Sequence, residues 1–373
     1  MDESSLISYI EKNSRERLRF NNSLLIKSIG DDTAIFRDKN NILITSDTLT
    51  ENTHFKIDYY SFDKIGAKAL LANISDIASM GGTPRFFILS LLIPEYLTEE
   101  NIKETIDGII ETAKNDKISL IGGNISKASE FSICITLLGD YTDKKTVLRY
   151  CARDNDLIFV SGNIGNSWLS YYIMENKKYI DEITVNGLKA KKFKIDKKTI
   201  KFIEDFAKEN LIHPSRVKLG KILASNKLAN SLTDISDGLY KDINNLLNNN
   251  KDKNSEVSII VDNIPLSDDF KHIVNILDLK DIDVFNNVIS FGEDYELLWS
   301  ANTTNSKKLS EIAKKERIKI SKIGSITNIY SNNYTNTNNN INANAGNTKK
   351  KNKINFIYKN KPFFVTPMTF KHI

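Results

Sequence analysis

The chain has 373 residues, 40% hydrophobic and 27% charged, which is ordinary for a soluble globular protein and long enough for two cores. Its 52 basic and 47 acidic residues leave a formal charge of only +5, fed by lysine-rich stretches at 189–201 and 349–351 that read as solvated faces rather than a nucleic-acid footprint. Two cysteines give no disulfide framework, residues 1–5 lack signal-peptide character and the longest mostly apolar run, 86–94, cannot cross a bilayer, so a cytoplasmic protein without membrane or nucleic-acid partners is expected.

Apolar or alternating runs at 24–29 and 41–45 predict strands feeding Gly30-Asp31-Asp32 and Ser46-Asp47. Residues 61–80 predict a helix: Leu70, Ile74 and Ile77 recur on one side, and Asn73 and Asp76 share a face. Gly81-Gly82 with Pro84 ends it. A buried strand follows at 86–93, then an amphipathic helix at 99–115 carrying Ile102, Ile106, Ile109, Ile110 and Ala113. Leu120-Ile121 runs into Gly122-Gly123-Asn124, read as a strand-to-loop transition. Residues 131–138 form another strand, in which Cys134 is expected as a small core residue.

Composition changes after Gly139, and a domain boundary is placed near residue 150. A strand at 157–160 leads through Ser161-Gly162-Asn163-Ile164-Gly165 into a helix. Further helices are predicted at 197–209, 216–224 and 238–248, and strands at 257–261, 294–299 and 320–323. The asparagine-rich stretch 330–353 carries almost no large apolar side chains and is read as a disordered insertion. The expected fold class is α/β in the α+β sense: an N-terminal mixed-sheet domain at 1–149 and a C-terminal α/β domain at 150–373.

Nine carboxylates fall in five short clusters: Asp31-Asp32, Asp47, Asp76, Asp234 with Asp237, and Glu293, Asp294 and Glu296. Gathered in one cleft they would repel unless a cation sat among them. Oxygen donors with few histidines suit Mg²⁺, which usually bridges substrate phosphates. Each cluster also has a plain reading. Gly30-Asp31-Asp32 is good turn chemistry, Ser46-Asp47 could simply end a strand, and Ser236 or Asp237 could cap the helix after Gly238. Gly122-Gly123-Asn124 is equally a tight turn or a place where backbone amides approach a phosphate. Acidic residues before and inside the strand at 294–299 are unfavourable in a plain sheet and favour a functional reading. No Walker A loop, Gly-x-Gly-x-x-Gly fingerprint, zinc spacing or Gly-x-Ser-x-Gly elbow is present.

In order along the chain, these motifs resemble thiamine-monophosphate kinase, a family in the superfamily of aminoimidazole ribonucleotide synthetase and selenophosphate synthetase. The match runs through Ile29-Gly30-Asp31-Asp32, Ser46-Asp47-Thr48-Leu49 with His54-Phe55, Lys68-Ala69-Leu70, Asn73-Ile74-Ser75-Asp76, Met80-Gly81 and Leu120-Ile121-Gly122-Gly123. It continues at Arg149, Ser161-Gly162, Pro214-Ser215-Arg216, Asp234-Ile235-Ser236-Asp237-Gly238-Leu239 and Gly292-Glu293-Asp294-Tyr295-Glu296-Leu297. The resemblance implies ATP-dependent phosphorylation of thiamine monophosphate to thiamine diphosphate without a phosphoenzyme, in a homodimer paired through N-terminal domains. It implies Mg²⁺ positions at Asp32, Thr45, Ser46, Asp47, Asp76, Asn124 and Asp234, with Asp237 at a further one. Gly122, Gly123, Arg149 and Ser236 are implied at or beside ATP, and His54, Glu293 and an aromatic best matched by Phe370 at the substrate. Three departures stand out: Asn124 where many members have aspartate, Pro214-Ser215-Arg216 for Arg-Pro-x-Pro-Arg, and a C-terminus lacking the usual glycine and aspartate.

The acceptor of such a reaction is already an anion, so positioning and charge neutralisation matter more than a general base. Two alternatives stay open, another ATP-dependent synthetase of the superfamily and a non-catalytic nucleotide- or thiamine-binding protein. Selenophosphate synthetase would need a reactive Cys or selenocysteine near the N-terminus, and residues 1–29 contain no Cys.

Overall fold

The computed structural model describes residues 9–10, 12–14, 16–17, 25–27, 35–36, 41–141, 146–177, 196–247, 256–327 and 353–366. Asp31, Asp32, Phe370 and all of the asparagine-rich stretch except Lys353 lie outside these residues. Two mixed sheets carry the fold, beside a short antiparallel pair of β1 (Leu25–Lys27) and β2 (Ile35–Phe36).

The first sheet contains β3 (Asn41–Thr50), β4 (Thr83–Ile93), β5 (Ser119–Lys127) and β6 (Ser132–Tyr141), ordered β3-β6-β4-β5. Only the β4–β5 pair is parallel, and it is joined by helix α2 (Glu99–Asp116), as a parallel crossover requires. Helix α1 (Phe62–Ser79) lies with α2 on one face. Strand alternation sends Leu49, Phe87, Leu89, Leu91, Ile133, Ile135 and Leu137 to that face, where they are buried with Ile65, Leu70, Ile74, Ile106, Ile109 and Ile110. A reciprocal box between Thr98 and Asn101 starts α2, satisfying amides that the first turn leaves without partners.

The second sheet contains β7 (Leu157–Ser161), β8 (Ser231–Asp234), β9 (Glu256–Ile260), β10 (Leu297–Ala301), β11 (Ile320–Thr327), β12 (Lys353–Tyr358) and β13 (Lys361–Phe363). Its order is β13-β12-β9-β11-β7-β10-β8, and only β12–β9 is parallel. One core joins this sheet to α3 (Asn166–Glu175), α4 (Lys197–Glu209), α6 (Leu239–Leu247), α7 (Asp268–Ile276) and α8 (Asp281–Ser290). A smaller core on Phe159 and Trp299 takes side chains from α5 (Val217–Ser225) and α9 (Ser306–Glu316), together with Ala78 of α1. Helix α1 therefore packs against both sheets' cores.

The mixed α/β class agrees with expectation, and α1, α2 and α4 fall within a residue of their predicted spans. Four expectations need correction. Strand β3 does not end at Thr45 but runs to Thr50, paired residue for residue with β6, so Ser46 and Asp47 lie inside a strand. Gly122, Gly123 and Asn124 likewise sit within β5, because β4 offers a parallel ladder on past them. Strand β10 begins at Leu297, which leaves Asp294 and Glu296 before it rather than inside it. Cys134 is only half-buried, since alternation gives the core face to Ile133 and Ile135 and turns the thiol toward Ser46. Strand β8 and helices α7, α8 and α9 have no counterpart in the sequence reading.

The approach of α5 to α1 depends on Gly220. A Cβ there would lie 2.1 Å from the Ala78 carbonyl oxygen, a contact that neither backbone can yield cheaply. Gly220→Ala is expected to cost about 1–3 kcal/mol, the range for overpacking a tight contact, read as a lowered urea midpoint at unchanged m-value.

Candidate active site between the two sheets

Asp47 points to the same face of the first sheet as Leu49, toward α1, where the charge of Asp76 reaches it. Asp76 accepts a hydrogen bond from Thr45 Oγ1, two residues before Asp47. From the second sheet Asp234 ends β8, and its Oδ2 accepts from Ser75 Oγ at 2.6 Å. Burial pushes Asp47 up to about 6, with Asp76 and Glu293 adding repulsion. Burial raises Asp234 to about 7, reinforced by Asp76 and Asp47. Asp76 is raised by burial but drawn back by its Thr45 bond and by Arg149, whose charge reaches it. Thr45, Asp47, Asp76, Asp234 and Arg149 thus form one electrostatic neighbourhood, with acidic oxygens from both sheets and an exposed guanidinium at its edge.

Ser46 and Asn124 fall elsewhere. Alternation puts Ser46 on the outer face of the sheet, against Thr136 at 3.0 Å. Asn124 is exposed, pairs with Ser90 and donates to Ser126. Three strand spacings, about 14 Å, separate β5 from β3. Gly123 is explained by packing, since a Cβ would sit 2.0 Å from the Leu89 carbonyl, whereas a Cβ at Gly122 would meet nothing within 4 Å. Asp237 pairs with Lys241 at 2.7 Å.

Loops 234–238 and 292–296 face each other at close quarters. Glu293 and Tyr295 donate their amides to the Ser236 and Ile235 carbonyls, both at 2.9 Å. Gly238 and Gly292 have φ of +104° and +83°, and a Cβ on Gly292 would strike the Ser236 oxygen at 2.4 Å, so both positions favour glycine. Asp242, which sequence reasoning missed, accepts from the Asp237 amide at 3.2 Å. Burial pushes it up to about 8, with Asp234 and Asp237 adding to the shift.

The acidic run 292–296 divides by role. Asp294 accepts from Gly165 N and Ser167 Oγ at the start of α3, and burial raises it to about 7. Glu296 takes both Nε and Nη2 of Arg216, at 2.6 and 2.5 Å, together with Ser161 Oγ. Both are therefore held by protein groups. Glu293 instead faces Lys68, a lysine with 2% of its side chain exposed, on the buried side of α1. The sequence carries a signal for this burial, since Lys68 stands three residues after the buried Ile65.

Beside this pair lies a cavity of about 350 Å³ walled by His54, Phe55, Trp168, Tyr171, Tyr172 and Phe291, with Glu175 and Asn287 on its lining. His54 Nδ1 accepts the Thr50 amide at 3.0 Å, which fixes the neutral ring as the tautomer carrying its proton on Nε2. Thr366, four residues before Phe370, donates its amide to Asn286, next to the lining residue Asn287. The cavity's size and aromatic lining suit a small planar ligand.

Among the described residues no three His, Cys, Asp or Glu side chains form a group that could hold a metal ion. The donors nonetheless fit a hard cation that keeps water and phosphate ligands. Asp47 and Asp234 are raised by burial and by their acidic neighbours, and Asn73 Oδ1, one turn from Asp76, is buried without a partner.

His213 lies stacked on Tyr295, centroids 4.1 Å apart. Burial drives its pKa down to about 3, so from pH 6.5 down to 3 the unfolded chain takes up a proton that the folded one refuses. Stability supplied by this residue is full above pH 6.5 and falls as pH falls, by about 2 kcal/mol between pH 7 and pH 5. His213→Phe, which keeps the stack, is expected to flatten the pH dependence of the urea midpoint over that interval.

Residues 30–140 match the family described as AIR synthase related protein, N-terminal domain. The thiamine-monophosphate kinase of Bacillus subtilis (strain 168) is 30% identical over 87% of this chain and 91% of its own length. A crystal structure of thiamine-monophosphate kinase from Stenotrophomonas maltophilia K279a superposes with a TM-score of 0.71 at 26% identity, covering 88% of this chain and 94% of that one. A further solved chain, AaThiL complexed with AMPPCP and TMP, has the same fold at a TM-score of 0.63 and 23% identity, covering 97% and 96%. No helix among the described residues is long and apolar enough to cross a membrane. Sequence likeness across most of both chains and a shared two-sheet architecture lead to one statement: this chain is a kinase belonging to the thiamine-monophosphate kinase family.

Proposed function

We propose that the chain transfers the γ-phosphoryl group of ATP in line to thiamine monophosphate, giving thiamine diphosphate and ADP. The observation that carries this reading is continuity. The acidic neighbourhood of Asp47, Asp76 and Asp234 reaches Glu293 electrostatically, Glu293 joins His54 through Lys68, and His54 lines the aromatic cavity. One end of the site suits phosphates and the other a flat organic cation. Trp168, Tyr171, Tyr172 and Phe291 offer π faces to a thiazolium, and His54 Nε2–H is a donor for a phosphate or ring-nitrogen acceptor. The solved relative holding AMPPCP and TMP supports the same pair of ligands.

Asp47, Asp76 and Asp234, with Asp32, Thr45 and Asp237, would hold Mg²⁺, which neutralises phosphate charge during transfer. Arg149, Ser236, Gly122 and Gly123 would hold the nucleotide, and Phe370, outside the described residues, would contact thiamine. Residues 1–149 form the nucleotide and pairing domain, 150–373 the second domain, in a cytoplasmic homodimer. Pairing is supported by the outer face of the first sheet, where Ile42, Ile44 and Ile88 are 42%, 66% and 39% exposed. Ser46 and Asn124 share that face, so a second copy seated there would cover both.

ADP release stimulated by thiamine monophosphate, with thiamine diphosphate formed, is the expected result; ATP hydrolysis indifferent to thiamine monophosphate would overturn the assignment. Asp47→Asn should lower turnover on the order of a hundredfold or more while leaving circular dichroism and melting temperature near their original values.

A further inference from the structure

Lys68 carries no role in the reading above beyond joining its parts, yet its surroundings are unusual. Its Nζ lies 2.5 Å from Glu293 Oε2, 2.9 Å from the His54 carbonyl, 3.1 Å from Tyr60 Oη and 3.2 Å from Tyr171 Oη. These partners come from the turn after β3, from just before α1, from α3 and from the loop before β10. Tyr171 Oη also donates to the His54 carbonyl and sits 2.8 Å from Tyr60 Oη. Burial alone would push the ammonium down, but Glu293 and the ring hydroxyls outweigh it and hold it well above the ordinary lysine value. The charge is thus present, enclosed and fully engaged.

The two main-chain segments it ties are both poor at holding themselves. Glu293 has φ +60° and Tyr295 φ +47°, left-handed values that side-chain-bearing residues rarely keep without outside support. The His54 turn rests on Asn52, itself at φ +61°. We propose that Lys68 is a positioning residue for the acceptor: its ammonium fixes the His54 backbone and the Glu293 carboxylate relative to each other, so that the acceptor cavity is set before substrate enters. It would touch neither substrate. The inference rests on the kinase reading for the identity of the acceptor, and on geometry alone for the tie.

The test compares four proteins: the unmodified chain, Lys68→Met, Glu293→Gln and Lys68→Met with Glu293→Gln. Lys68→Met leaves a buried carboxylate without its partner and should destabilise strongly; adding Glu293→Gln removes that charge and should restore the melting temperature. The decisive comparison is therefore the double variant against Glu293→Gln. If Lys68 positions the acceptor, the double variant shows a KM for thiamine monophosphate raised a further tenfold or so, with the KM for ATP moved less than about twofold. Equal acceptor KM values in these two proteins, or parallel rises for both substrates, would reduce Lys68 to a stabilising role. Hydrogen exchange in the same pair reads the tie without reference to turnover: amides at 53–55 and 293–295 should exchange roughly tenfold faster or more in the double variant, and unchanged protection there would refute the inference. Failure of the unmodified chain to phosphorylate thiamine monophosphate would sink the kinase reading while leaving the exchange result to decide on Lys68.

Discussion

Like charges held close together in a dry place are the constraint around which this molecule is arranged. Asp47, Asp76 and Asp234 come from a strand, a helix and a strand end in two different sheets, and burial raises all three. Nothing in a hydrophobic core would select such a gathering, because each carboxylate weakens the ligand-free fold. A cation drawn in with the substrates, as proposed above, would relieve that repulsion. The surrounding fold must then hold the acids in place against their own repulsion, and α1, packed into the cores of both sheets, does so by carrying Ser75 to Asp234 and Asp76 to Thr45.

Two buried ion pairs complete that frame. Arg216 meets Glu296 bidentately at 6% carboxylate exposure, and Lys68 meets Glu293. Such pairs seldom add net stability over apolar substitutes, but breaking one leaves a buried charge stranded. Here they pin the loop between α8 and β10, whose left-handed residues give it little reason to stay where it is.

Much of this is legible in sequence where local physics decides. The period of Leu70, Ile74 and Ile77 marks α1, and Gly81-Gly82 with Pro84 marks its end, so that the predicted span is within a residue at each end. The motifs at 73–76, 234–238 and 292–296 lead to segments whose charges the fold brings near Asp47 or Asp234. Partnership across the chain is what local patterns cannot carry. Strand β3 looks finished at Thr45 because Ser46-Asp47 has poor strand propensity, yet pairing along all of β6 overrides that preference. The same holds for Gly122-Gly123-Asn124 on β4. Cys134 reads as core because its neighbours are apolar, although only every second residue of a strand meets the core. His213 and Asp242 give no local sign at all: each matters only through what surrounds it in three dimensions.

The pentapeptide at 292–296 shows how one charge cluster can divide into separate roles. Three carboxylates within four positions look interchangeable as a motif, and counting them suggests a cation site. Their partners say otherwise. Asp294 satisfies the amide and hydroxyl that begin α3, Glu296 is taken by Arg216 and Ser161, and Glu293 meets Lys68, with its charge reaching Asp47. Two of the three therefore hold the third at its angle. That division explains why the run precedes β10 instead of entering it. Inside a strand, alternation would send Asp294 and Glu296 to one face and Glu293 to the other. Positive φ at Gly292, Glu293 and Tyr295 instead lets the three acids point in three directions. A charge cluster in a sequence is thus a statement about where a loop is anchored as much as about what it binds.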